Sequence, residues 1–360
     1  MKRLLPVLLI LSLLLCGCNG AEEAPTTTAV PTTEATVPPT TEATVPPTTE
    51  APTEPPVLYR HPLNGQLLEE PFTGRPVTFT VGNTTAALPQ YGISKADVLY
   101  EITVEGGLTR CMPIFSDLSD VGPIGSIRSA RTYFVSISRA YKSVFVHSGA
   151  SNYAANLFYQ GVVDHVNAEP SIFYRDADRR SAGYAIEHTH FTTGEKALPY
   201  LEENFDMTAS PEANYGLNFV DEQVLDGDIA EAVQVNFGTG YAKITKFAYD
   251  KEAGNYTAFQ ANRDWIDAET DEVLRFENLL ILYAKKQYAP GTTSGNVLHE
   301  LVGENTGYYI SGGKVVPIKW TRAEEDAPFA YFLEDGSPLS LIPGKTYIGV
   351  VPPNSPITCE

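Results

Sequence analysis

The octapeptide TTEATVPP begins at Thr32, repeats in tandem at Thr40 and starts a third time at Thr48, and it decides where folding can begin. The stretch Asn19–Pro56 has no large apolar side chains to bury, so nothing offsets the entropy of ordering it. Its prolines favour extended polyproline geometry, which makes it a semi-rigid spacer, and its threonines are potential sugar acceptors by composition. About 38 residues at roughly 3 Å each reach ~100 Å. A packed core must therefore come from the ~300 residues after Pro56, enough for two domains.

What precedes the spacer gives it a purpose. Lys2 and Arg3 lead an apolar run, Leu4 to Leu15, shorter than the roughly 20 residues of a spanning helix. That is the anatomy of a secretory signal. The run ends in LCGC, with Cys18 after Gly17 and Leu15 three places earlier. This is similar to the lipobox of bacterial lipoproteins, in which the cysteine is acylated and becomes the new N-terminus. The expectation is a signal peptide over 1–17 and a lipidated Cys18 heading a spacer over 18–56. The membrane is then a partner through the lipid alone, and the protein sits on the extracytoplasmic face of the cell membrane.

Charge narrows the partners further. The chain carries 44 acidic and 25 basic residues, net −19. Without Lys2 and Arg3 the charge is −21, and the six spacer glutamates account for six of it, leaving −15 after Pro56. Nucleic acid requires a basic footprint, so it is excluded as a partner. A folded part this acidic is also unsuited to lying on anionic lipid. Beyond Cys16 and Cys18 only Cys111 and Cys359 remain, in a compartment that permits a disulfide. Cys359 is the penultimate residue and Cys111 lies in an apolar strand-like run, so pairing and a free buried Cys111 both stay open. Neither zinc spacing, a P-loop nor a dinucleotide fingerprint occurs, so no metal and no cofactor is expected.

The pattern along 57–360 reads as α+β: a mixed α/β domain over 57–205, a linker over 206–228 and a mostly antiparallel β domain over 229–357. In the first, RPVTFTVGN, ADVLYEITVEGG and LTRCMPIF are strand-like. Ile127, Ala130, Phe134, Ile137 and Tyr141 recur at helical spacing, SVFVHSG is a short buried strand, and SNYAANLFYQ is a helix capped by Ser151 or Asn152. In the second, EAVQVNF, AKITKFAYD, NYTAFQANRD, NLLILYAKKQY, GYYISGGKVVPIKW and KTYIGVVP are strands, with DKEAGN and SGG as hairpin signals.

Several of these segments carry a family resemblance. GRPVTFTVGN, LPQYGISKADVLYEITVEGGLTR, IGSIRSARTYF and VFVHSGAS in the first half, with ENLLILYA, GYYISGGKVVPIKW and LEDGSPLSLIPGKTYIGVVP in the second, resemble the YerB-type lipoproteins. The resemblance covers nearly the whole folded part and implies a pair of domains of unknown function, with no established activity. The family pattern has Pro-His-Asn where this chain has Glu187, His188 and Thr189.

The polar residues offer one concentrated candidate site. Asp97, Glu101 and Glu105 read as one strand, with Glu101, Thr103 and Glu105 on one side. Arg110 starts the next strand, and Arg128 and Arg131 are expected on the first turns of the helix after GPIGS. These arginines either form an internal ion network with the carboxylates or leave a guanidinium free for an anion, helped by a helix N-terminus. In the second case Glu105 pairs with one arginine, and another faces a cleft bordered by His147 and Gly149. His147 otherwise reads as a satisfied core histidine, and His188 and His190 read as neighbours on one side of a strand. No G-x-S-x-G elbow is present. The reading that follows is a lipid-anchored binding or scaffold module facing cell-wall glycan or another envelope protein. The alternative is an envelope phosphotransferase or hydrolase acting on an anionic glycan or lipid-linked phosphate. There the arginines clamp phosphate and Asp97 or Glu105 serves as ligand or base, by analogy with the LytR–CpsA–Psr phosphotransferases.

Overall fold

Every residue of the strand Val98–Thr103 is buried, because the strand lies inside a sheet covered on both faces. In a computed structural model, which describes residues 57–360 apart from 241 and 292–294, this sheet has twelve strands. The segments expected as a signal peptide and a spacer, with Cys18 between them, lie outside the described residues. Alternation along the strand sends Val98, Tyr100 and Ile102 into one apolar cluster, which contains the helix Thr132–Ala140, and Leu99 into the other. Burial on both faces explains the near-continuous apolar runs here and in Asn278–Tyr283 and Thr346–Val351.

The sheet runs across the boundary drawn from the sequence. Thr346–Val351 pairs in parallel with Asn278–Tyr283 on one side and with Val98–Thr103 on the other, in the register Thr346↔Val98 to Val350↔Ile102. The halves expected as an α/β domain and a β domain thus contribute strands to one sheet, and the described residues form one compact unit. Strand dominates and helices are few. The stretch 206–228, expected as a linker, has isolated bridges until Asp228 begins a short strand, and it inserts Tyr215, Leu217 and Leu225 into the core.

In the second half, Ala232–Asn236, Ile244–Asp250 and Asn255–Gln260 form a smaller antiparallel sheet, and Gly303–Ser311 and Lys314–Arg322 form a hairpin. Its two-residue turn places Gly312 at φ 59° and Gly313 at φ 75°, a conformation that suits glycine. Cys111 and Cys359 are both free, and burial pushes the Cys111 thiol well up.

The helix start departs from the helical spacing. Helix Thr132–Ala140 has Arg131 at its N-cap with extended backbone, and Arg128 lies upstream, outside the helix. The reason is the competition for backbone donors. Ile127 N donates to His190 O at 2.7 Å, Arg128 N to Thr80 O at 2.7 Å and Ala130 N to Gly149 O at 2.9 Å. The next helix, Asn152–Tyr159, is capped by Ser151, whose side chain accepts from Ala154 N.

Candidate anion-binding site

Strand Val98–Thr103 turns back into Thr109–Phe115 through Glu105–Gly107, where Gly106 and Gly107 take φ 69° and 72°. The turn puts Glu105 outside the strand and sets Arg110 opposite Ile102. Glu105 meets Arg131 as a two-pronged pair, Nε to Oε1 and Nη2 to Oε2, both at 2.8 Å. Burial would raise the Glu105 carboxyl, but the hydrogen bonds and charge of Arg131 carry it below its ordinary value.

The other two arginines have no carboxylate partner among the described ion pairs. Arg110 is 9% exposed, and its guanidinium donates to Ser129 O. Burial, then the Arg131 and Arg128 charges, push Arg110 down to about 9, which leaves it charged at neutral pH. Arg128 donates to Glu187 O at 2.7 Å, and burial lowers it too.

Arg110, Arg128 and Glu105 line a pocket of about 130 Å³, together with Asn83, Thr84 and His188. Thr84 Oγ1 and His188 Nδ1 are buried and have no hydrogen-bond partner within the protein. Ser126 Oγ is in the same state, and it sits beside Gly82 in the pocket wall, 3.3 Å from where a Cβ would stand. Burial, then the nearby Arg128 charge, lower the His188 imidazole below its ordinary value. The pocket therefore combines two cations that lack a carboxylate partner with the paired Glu105 carboxylate, and the unpartnered Thr84 Oγ1 and His188 Nδ1 lie covered in its wall, an arrangement that can hold one small anionic group.

Other residues of the expected cluster lie elsewhere. Asp97 precedes the strand at the end opposite to Glu105 and accepts from Asn64 Nδ2 at 2.6 Å and Ser116 N at 2.8 Å. His147, fully buried at the end of Val144–His147, is not in the pocket wall. Its ring stacks on Phe158 at 4.4 Å, its Nδ1 is 2.8 Å from Gly149 O, and its Nε2 is 3.1 Å from His165 Nδ1. A carbonyl only accepts, so Nδ1–H donates to Gly149 and Nε2 accepts from His165. The cleft bordered by His147 and Gly149 is thus replaced by a pocket at Thr84 and His188.

His188 and His190 do not share a strand face. Thr189 Oγ1 donates to Ile186 O at 2.9 Å and closes a short turn, which leaves His188 in the pocket wall while His190 bonds Ser148 Oγ at 2.7 Å. Glu101 and Glu105 also serve different partners, because the strand ends at Thr103. Asn83, Thr84 and Arg179 went unnoticed in the sequence. Arg179 is 5% exposed, donates to the carbonyls of Ala87 and Pro89 and lies over the Tyr184 ring, so it fixes the loop after Thr84. No spacing links that loop to residues about a hundred positions later.

The comparisons with known proteins agree with the resemblance. Residues 63–207 match the "Protein of unknown function (DUF3048) N-terminal domain", and 233–348 match the corresponding C-terminal domain. YerB of Bacillus subtilis, named as a candidate lipoprotein, is 30% identical over 298 residues, which cover 81% of this chain and 86% of that protein. The crystal structure of the Bacillus subtilis YerB protein aligns with a TM-score of 0.72 at 28% identity, covering 83% of this chain and 99% of that one. No helix among the described residues is long and apolar enough to cross a membrane. With its two family domains in order and a relative matched along most of its length, the chain belongs to the DUF3048 family.

Proposed function

We propose that this chain is a lipid-anchored binding module on the outer face of the bacterial cell membrane, and that its arginine pocket takes a small anion. One observation carries the reading: Arg110 is a buried cation with no carboxylate beside it except Glu105, which is already committed to Arg131. An uncompensated buried charge costs several kcal/mol, and an anion entering the pocket would remove that cost. The unpartnered Thr84 Oγ1 and His188 Nδ1 support the same reading.

The test is thermal melting of the full chain with increasing inorganic phosphate. Binding stabilises the folded state by mass action, by ~2.7 kcal/mol at a hundredfold excess over Kd. Arg110→Met is the informative variant. It removes the unpaired charge while keeping much of the volume, so its melting temperature without phosphate is expected to equal or exceed the wild type and its response to phosphate to vanish. A wild type indifferent to phosphate, combined with an Arg110→Met that melts several degrees lower, would make the arginines scaffolding.

The anchor has a separate test. Cys18→Ala is expected to release the protein from the cell or leave it unprocessed, read by fractionation and gel mobility. A variant that fractionates and migrates like the wild type sinks the lipid anchor.

A further inference from the structure

We infer that the occupant of the arginine pocket is a sugar bearing one anionic substituent, with the sugar ring in the adjoining cleft; this rests on the anion-binding reading above. The cleft, about 950 Å³, runs between the loop at Thr85, Leu88 and Pro89 and the segment Gln260–Ile266, a volume at the upper end for small-ligand sites. Thr84 lines the arginine pocket and Thr85 lines the cleft, so consecutive residues of one loop form the wall between them.

Lys243 holds that wall from behind. Its Nζ donates to Asn83 O at 3.0 Å, on the pocket side, and to Gln260 Oε1 at 2.6 Å, on the cleft side. An ammonium can only donate, so the Gln260 amide is fixed with its oxygen toward Lys243 and its Nε2 turned away. Gln260 is 3% exposed, yet Nε2 has no hydrogen-bond partner. The atom is covered as well as unpartnered, so a ligand acceptor in the cleft reaches it only once the covering atoms shift, and the bond it then gains satisfies a buried donor.

The rest of the lining selects the ligand class. Leu88, Pro89 and Ile266 offer apolar surface, and Arg263 and Asp264 supply a donor and an acceptor of opposite charge. A pyranose ring matches this mixture, with an apolar C–H face and hydroxyls that both donate and accept. The net charge of −15 after Pro56 repels a polyanion, whereas the arginine pocket neutralises a single anionic group. A neutral sugar with one phosphate or carboxylate satisfies both conditions.

The experiment is calorimetric titration of the full chain with inorganic phosphate, N-acetylglucosamine, N-acetylglucosamine 1-phosphate, glucuronic acid and uridine 5′-monophosphate. At least one anionic sugar is expected to bind ten-fold or more tightly than inorganic phosphate, and which one identifies the substituent as phosphate or carboxylate. Gln260→Ala is expected to erase most of that gain while phosphate binding persists. Arg263→Ala, at an exposed position, is expected to act the same way without touching the fold. Arg128→Gln is expected to abolish both. If phosphate binds but neither sugar improves on it, or if the nucleotide matches the best sugar, this inference falls and the anion pocket stands. If neither phosphate nor any anionic sugar binds, the pocket reading falls and takes the inference with it.

Discussion

Glu101→Ala is expected to lower the melting temperature by about 6–20 °C, from a loss of ~3–5 kcal/mol at about 2–4 °C per kcal/mol. Glu101 is fully buried. Its Oε1 accepts from Asn83 Nδ2 at 2.8 Å and Thr109 Oγ1 at 2.7 Å, and its Oε2 accepts from Thr245 Oγ1 and Tyr347 Oη, both at 2.8 Å. Two of these donors come from the first half of the chain and two from the second. Alanine would remove the acceptor all four share, leaving Asn83 Nδ2 only its bond to Thr109 Oγ1 at 3.0 Å, and take a compensating charge from Lys243, which burial already lowers. Because the carboxylate ties both halves together, they are expected to unfold in one transition at a lower temperature, read by circular dichroism. A loss below ~1 kcal/mol would mean that water or rearranged side chains replace the carboxylate. Glu101→Gln keeps the shape and one acceptor oxygen, so a smaller loss is expected.

The second large effect is acid sensitivity between pH 6.5 and 4. His147 and His299 are each held down to about 4 against an ordinary 6.5, mainly by burial. For His147 the neighbouring His165 also lowers the value while the hydrogen bond to Gly149 O raises it. For His299 the Lys286 charge lowers it and the hydrogen bond to Thr103 O raises it. Folded-state values this far below the unfolded ones make the unfolded chain bind more protons in this window. The stability these histidines contribute is therefore complete above pH 6.5, and it is lost as the pH falls toward 4. At 1.36 kcal/mol per pKa unit each contributes about 3 kcal/mol over the full interval. Melting temperature is expected to fall steeply from pH 6.5 to 4.5, and His147→Gln to flatten only part of that slope, because His190 is also held down to about 4. A melting temperature constant across the interval would show that both imidazoles are accessible to protons in the folded state.

Local signals in the sequence carried much of the fold. The turn at Gly312 and Gly313 is readable because two adjacent glycines suit a two-residue hairpin turn, and the segments next to it, Tyr308–Ser311 and Val315–Trp320, are rich in aromatic and β-branched residues. The Ser151 cap is equally local, since its oxygen reaches an amide three residues away. The acidic balance and the spacer composition are properties of the residues themselves and need no fold to interpret.

Other features depend on partners that are remote in the chain. Helical spacing continues back through Ile127 and Arg128, yet their amides are taken by His190 O and Thr80 O, so the helix waits until Thr132. The parallel pairing of Thr346–Val351 with Val98–Thr103 joins segments about 250 positions apart, and an apolar run carries no label for its neighbour. The arginine pocket shows the same division. The pairing of Glu105 with an arginine was foreseeable, because a buried carboxylate demands a cation. Which arginine it takes, and that Arg110 is left facing Thr84 and His188 with His147 turned away, follows from where the 84–89 and 186–190 loops pack. The sequence by itself determined which groups must be compensated; only the tertiary structure decided which compensation is left unfilled, because burial and distance between remote segments exist only after the chain has closed on itself.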